Sequence, residues 1–253
     1  MSGLESVFQS IPQFLVTCLI LVFAQAVYVV FGFGVGLIAV GALALLFAEI
    51  RDVVVLLLFV AAPAELYVVG SAFRQVPWRG VLPMAAGLLL GIPLGTTLLR
   101  FGEPTFLLTL LGVVLLGAGG AFLVSPASCH SRPPGWVGPP AGLVSGVLSG
   151  LFGTGGPPLI LYFQASGMDK STFRRCLMAL FLLTTIVRFV TYATAGLLTP
   201  PRLVSGLVVL PAAALGAWLG QRIHLQLTEA TFRRLVCLAL IAIGALLLVQ
   251  QVV

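Results

Sequence analysis

Runs of about twenty apolar residues, the length a helix needs to cross a bilayer, recur along the whole of this chain. That feature excludes most of what 253 residues could otherwise become. A soluble domain carries about 25% charged residues. Here 8% are charged and 60% hydrophobic, and the mean hydropathy is +1.17. A membrane β-barrel would show alternating segments of about ten residues, whereas these runs are continuous. The expected fold class is an all-α polytopic membrane protein.

Eight segments are expected, over 14–47, 52–69, 81–99, 105–124, 141–165, 172–197, 203–221 and 232–253. A Pro-, Gly- and Ser-rich linker, 125–140, separates a first four-segment repeat (1–124) from a second (141–253). Three alignments support the repeat. Phe31-Gly32-Phe33-Gly34 matches Phe152-Gly153-Thr154-Gly155 at an offset of 121. Gly91 and Gly95 match Gly216 and Gly220 at 125, and the Glu103 and Glu229 segments match at 126. Two-repeat chains are a common transporter plan, with the substrate site at the repeat interface. Re-entrant glycine-broken segments would invert the repeats, so parallel and inverted arrangements both stay open.

One stretch resists an ordinary membrane helix. Residues 150–158 hold Gly150, Gly153, Gly155, Gly156, Pro157, Pro158 and Thr154. Glycine is entropically costly in a helix, and paired prolines remove two backbone donors. Non-helical backbone survives in a bilayer only where it is buried in protein or lines a cavity. The expected geometry is a helix ending near Phe152, a glycine turn, and a new helix starting near Pro157. The N–H groups of Thr154, Gly155 and Gly156 would then sit at the positive end of the new helix, which suits an anion. The alternative is a kinked helix whose glycines serve close packing. Gly32, Gly34 and Gly36 form a weaker copy without a restarting proline, and are expected to face the second break across a mid-membrane site or else to pack. Gly142, Gly146 and Gly150, like Gly91/Gly95 and Gly216/Gly220, have the four-residue spacing of packing seams.

Two charges lie deep in segments, Glu65 and Arg188, 123 residues apart and at equivalent places in the two halves. A charge at mid-membrane costs about 3 kcal/mol or more, so each is a functional candidate. The planar fork of Arg188 suits an oxyanion. Glu65 would carry a coupling proton or form a structural ion pair with Arg188. Thr184, Arg188 and Thr191 share a helix face and would line a cavity, unless the threonines bond their own helix carbonyls.

The net charge of +6 is no sign of nucleic acid, because the basic residues lie mostly between segments. With eight crossings, eight of them (Arg51, Arg100, Lys170, Arg174, Arg175, Arg222, Arg233, Arg234) fall on one side and four (Arg74, Arg79, Arg132, Arg202) on the other. That bias places both termini in the periplasm. The first twelve residues contain no Lys or Arg, so no cleaved signal peptide is expected. Four scattered cysteines give neither a metal spacing nor a disulfide framework. There is no HExxH or GxxxxGK[ST] motif, and His130 and His224 lie at segment ends or in the linker. No enzyme activity, metal or cofactor is expected.

On its two glycine motifs, Gly32-x-Gly34-x-Gly36 and Gly153-Thr154-Gly155-Gly156-Pro157-Pro158-Leu159, and on its length and 4+4 layout, the chain resembles the sulfite exporter TauE/SafE family of bacterial and plant membrane proteins. It departs from that pattern in having Val35 and Pro157 where a further glycine is common. The resemblance implies a multi-pass protein of the bacterial inner membrane. Its role would be that of a secondary transporter or facilitator for a sulfur-containing anion such as sulfite, a sulfonate or a related organosulfur compound. The anion is expected at Gly153, Thr154, Gly155, Gly156, Arg188, Thr184 and Thr191, facing Gly32, Gly34 and Gly36, and moving by alternating access. Protons as coupling ion and a homo-oligomeric state are both open. A passive anion channel or a non-transporting scaffold are the alternatives.

Overall fold

The computed structural model describes residues 6–31, 35–72, 78–124, 134–222 and 229–252. Among these residues the secondary structure is helical, with no strand. The helices are α1 (Ile11–Phe31), α2 (Val35–Ala44), α3 (Ile50–Ala72), α4 (Trp78–Phe101), α5 (Pro104–Val124), α6 (Gly138–Phe152), α7 (Gly156–Ala165), α8 (Lys170–Thr194), α9 (Pro200–Val208), α10 (Leu210–Arg222) and α11 (Glu229–Val252).

Several helix ends have a local chemical cause. Pro104, Pro139 and Pro200 sit in first turns, where a missing N–H costs nothing. Asp169 caps α8 by accepting from the Thr172 N–H at 3.0 Å, and hydrogen bonds from Thr172 hold its carboxyl below the usual range. Gly153 and Gly196 end α6 and α8 in left-handed conformations, with φ of 74° and 72°. Segment seven, expected as one run from 203, starts at Pro200 and is interrupted at Val209, because Pro211 has no N–H to continue the ladder.

Among the described residues, six stretches are long and apolar enough to cross a membrane: Ile11–Val29, Gly80–Phe101, Pro104–Leu123, Ser171–Thr194, Pro200–Gly220 and Arg234–Gln251. Segment two is α3, which holds Glu65, and segment five is the pair α6 and α7; neither is among the six. Large apolar side chains face outward: Leu19 is 73% exposed on α1, and Leu90 is 67% exposed on α4. Such faces would drive aggregation in water and are the natural surface toward lipid.

The chain divides into two compact units. The first comprises 1–60, 102–124 and 198–253, and the second 61–101 and 125–197, so each takes helices from both sides of the linker. In the first unit α1 packs on α10, and α5 on α11. A Cβ at Gly220 would lie 2.6 Å from the Ala26 carbonyl oxygen, so α10 meets the α1 backbone directly. Arg202 Nε donates to Asp52 Oδ1 at 2.7 Å in the same unit.

The second unit is built on the pairing of α4 with α6. Gly87, Gly91 and Gly95 on α4 interleave with Gly142, Gly146 and Gly150 on α6. A Cβ at Gly91 would lie 2.9 Å from the Val147 nitrogen, and one at Gly146 2.8 Å from the Leu88 carbonyl oxygen. The expected seams are thus packing surfaces, where small residues let backbones approach and dispersion contacts replace lipid contacts. Gly91→Val is expected to force α4 from α6 and lower stability by about 1–3 kcal/mol or more. Gly117→Ala, at a position with nothing within 4 Å, should be close to neutral. Thermal unfolding in detergent checks both.

Candidate functional site

The second break falls where glycine and proline chemistry put it. Helix α6 ends at Phe152, Gly153 turns with its N–H donating to the Ser149 carbonyl at 2.8 Å, and α7 starts at Gly156. At the start of α7 the four N–H positions without an intrahelical acceptor are Gly155, Gly156, Pro157 and Pro158. Two of them are proline, so the donors that remain belong to the glycines.

Gly155 has no room for a side chain. A Cβ there would overlap the Ser149 hydroxyl and the Ser145 carbonyl oxygen, and lie 2.6 Å from Ser145 Oγ. The Ser145 hydroxyl donates to the Gly155 carbonyl, which pins the turn to α6. Thr154 between them is 5% exposed, and its Oγ1 is buried with no hydrogen-bond partner. A buried hydroxyl without a partner is a cost the fold does not relieve internally.

Arg188 comes to this turn from α8. It is 2% exposed, and its guanidinium rests against Gly153: a Cβ there would lie 2.8 Å from Nη2 and 3.2 Å from Cζ. The left-handed φ and the closeness of the arginine both demand glycine at this position. Tyr192, one turn on, organises the pair. Its hydroxyl donates to the Gly150 carbonyl at 2.8 Å and accepts from Arg188 Nε at 3.3 Å, with the ring 5.1 Å from Cζ. The Gly150 carbonyl is one of those left without an N–H partner when α6 stops.

Glu65 lies in the same unit, 5% exposed, hydrogen-bonded by Thr185 and near enough to Arg188 to feel its charge. Its Oε2 is buried without a hydrogen-bond partner. The two threonines of the expected polar stripe are occupied differently. Thr184 donates to the Leu180 carbonyl of its own helix at 2.8 Å. Thr191 donates to the Arg188 carbonyl at 3.2 Å and sits 3.1 Å from the Thr96 hydroxyl of α4, so it joins two helices. Gly36 lies in α2, in the first unit, and Gly32 and Gly34 fall outside the described residues.

Sequence reasoning passes over Ser145 and the role of Tyr192. The signals are present as i, i+4 pairs: Ser145 with Ser149 on the face that meets the turn, and Arg188 with Tyr192. Tyr192→Phe is expected to strand the Gly150 carbonyl and release Arg188 Nε. The cost should be about 1–3 kcal/mol of stability, read by thermal unfolding, together with weakened anion binding.

Among the described residues, helical secondary structure throughout and six apolar spans define a multi-pass membrane protein. Residues 17–247 match the family described as Sulfite exporter TauE/SafE, and the chain belongs to that family. It is 30% identical over 225 residues to a protein of Cupriavidus necator named "Probable sulfite/organosulfonate exporter TauE", covering 87% of this chain and 88% of the relative. It is 26% identical over 190 residues to "Probable inner membrane transporter protein TsaS" of Comamonas testosteroni, covering 75% and 80%. No solved structure matches it.

Proposed function

We propose that this protein is a secondary transporter or facilitator that moves a small sulfur-containing anion across the inner membrane by alternating access. The observation that carries the reading is the buried Arg188 guanidinium laid against the Gly153 turn, beside the unpartnered Thr154 hydroxyl. Sulfite and sulfonate groups present several oxygens in a compact head. A planar fork satisfies two of them, and a hydroxyl and helix-terminal N–H groups suit the rest. The substrates for which the Cupriavidus necator relative is named support the same chemistry.

The reading includes eight crossings in two four-segment repeats, 1–124 and 141–253, with both termini in the periplasm. Reciprocal packing supports the repeat. In one unit the first helix of the first half (α1) meets α10 of the second, and in the other the first helix of the second half (α6) meets α4 of the first. A seam of glycines lies at each contact.

Purified protein in proteoliposomes tests the function through uptake of labelled ethanesulfonate or sulfite. Saturable uptake, accelerated by unlabelled anion on the opposite side, supports a carrier. Flux that rises linearly with concentration and carries current assigns a channel instead. Uptake equal to that of protein-free liposomes for both anions defeats the transport reading.

A further inference from the structure

The anion cradle leaves Glu65 without a role. The carboxyl is deep in α3, where an ionised acid survives only if its charge is compensated. Thr185 supplies one hydrogen bond and Arg188 supplies the compensating charge, yet Oε2 has no donor. An ionised carboxylate wants donors at both oxygens, whereas a protonated one carries its own. The Thr185 hydrogen bond and, after it, the positive charge of Arg188 are what compensate Glu65 when it is ionised.

That dependence matters once an anion takes the same guanidinium. One positive charge would then face two negative ones in a low-dielectric site, and the anion and Glu65 would compete for it. A proton on Glu65 removes the competition. The geometry points to Glu65 as a proton carrier linked to the anion: one monovalent anion binds at Arg188 as one proton binds the Glu65 carboxyl, and both leave together. The only bond made and broken is the carboxyl O–H, and the proton comes from water and returns to it. Arg188 with ionised Glu65 is neutral; Arg188 with the anion and protonated Glu65 is neutral as well. A dianion would leave a buried net charge, so the site favours the monovalent class, sulfonates and hydrogensulfite. The linked movement runs in whichever direction the combined anion and proton gradients point.

Among the described residues, the charged group that acts on Glu65 is Arg188. Helix α6 has no titratable side chain and α7 only Tyr162. On α8, Tyr192 is committed to Gly150 and Arg188. Arg79 and Arg100 on α4, and Arg174 and Arg175 on α8, lie near helix ends.

The inference rests on the transport reading, and one experiment separates the two. Ethanesulfonate stays a monoanion at every working pH, so any pH dependence belongs to the protein. Full-length wild type and Glu65→Gln are reconstituted with the membrane potential clamped at zero. The wild type should concentrate labelled ethanesulfonate when the outside is made acid. Glu65→Gln mimics the protonated acid. It should lose that accumulation, which for one anion moving with one proton is at most about tenfold for each pH unit of gradient, while still exchanging ethanesulfonate above the rate of protein-free liposomes. Accumulation by Glu65→Gln equal to wild type overturns the proposal, and so does loss of exchange together with accumulation, which makes Glu65 a structural partner. Exchange by wild type without acid-driven accumulation overturns the coupling and leaves the transport reading standing. Wild type that does not exchange ethanesulfonate overturns the coupling, and the transport reading falls with it if sulfite uptake is absent as well.

Discussion

Arg188→Ala should all but abolish anion exchange. Removing one member of a buried, hydrogen-bonded charge pair costs about 2–5 kcal/mol, which is about 30- to 4,000-fold in affinity. The variant also leaves Glu65 without its compensating charge, so reduced stability alone would not identify a binding role. The double variant Arg188→Ala/Glu65→Gln removes that difficulty. It is expected to recover thermal stability but not exchange. Recovery of exchange in the double variant would make Arg188 a structural ion-pair member and refute its role as anion ligand. Arg188→Lys should fall between, because it keeps a charge but loses the fork and the Nε bond to Tyr192.

Gly155→Ala should be among the most damaging single-methyl changes in the second unit. The added carbon would overlap a side-chain hydroxyl and a main-chain carbonyl of α6, and the carbonyl cannot rotate away. The turn must open, which breaks the Ser145 hydroxyl bond to the Gly155 carbonyl and moves the start of α7. A cost of about 3 kcal/mol or more is expected, with loss of folded protein in detergent and of exchange. Adding Ser149→Ala relieves the side-chain part only, so rescue should be partial. Full rescue would show that the main-chain clash is absorbed elsewhere. Gly156→Ala provides the contrast. Its new carbon would meet Ile160 Cδ1 at 3.4 Å and Phe181 at 3.8 Å, ordinary contacts, so the variant should fold and transport.

The backbone break is legible in the residues themselves because its causes are local. A proline has no donor and a glycine alone accepts φ of 74° cheaply, wherever the chain later packs. Deep charges are legible for a similar reason: hydrocarbon disfavours Glu65 and Arg188 whatever their neighbours. Thr191 shows where that reasoning fails. Helical spacing puts it on one face with Arg188, but that face meets Thr96 of α4, and the hydroxyl serves helix pairing. Thr184 takes the local alternative of its own helix carbonyl. Ser145 stays silent in the sequence because a serine among apolar residues carries no signal until the chain folds back to place Gly155 beside it.

Sequence alone determined that the chain is a bundle of apolar helices, that its second glycine break ends α6 at Phe152, and that two ionisable side chains are buried. Each follows from residues within a turn or two and from the bilayer as solvent. Only the tertiary structure decided that the α4 seam meets α6, that the α10 seam meets α1, and that the Arg188 guanidinium lies on Gly153 with Tyr192 behind it. In lipid the faces of an apolar helix are nearly equivalent, so partner choice rests on the fit of small residues across helices distant in sequence. Such complementarity belongs to two surfaces at once, and no single stretch of the chain encodes it.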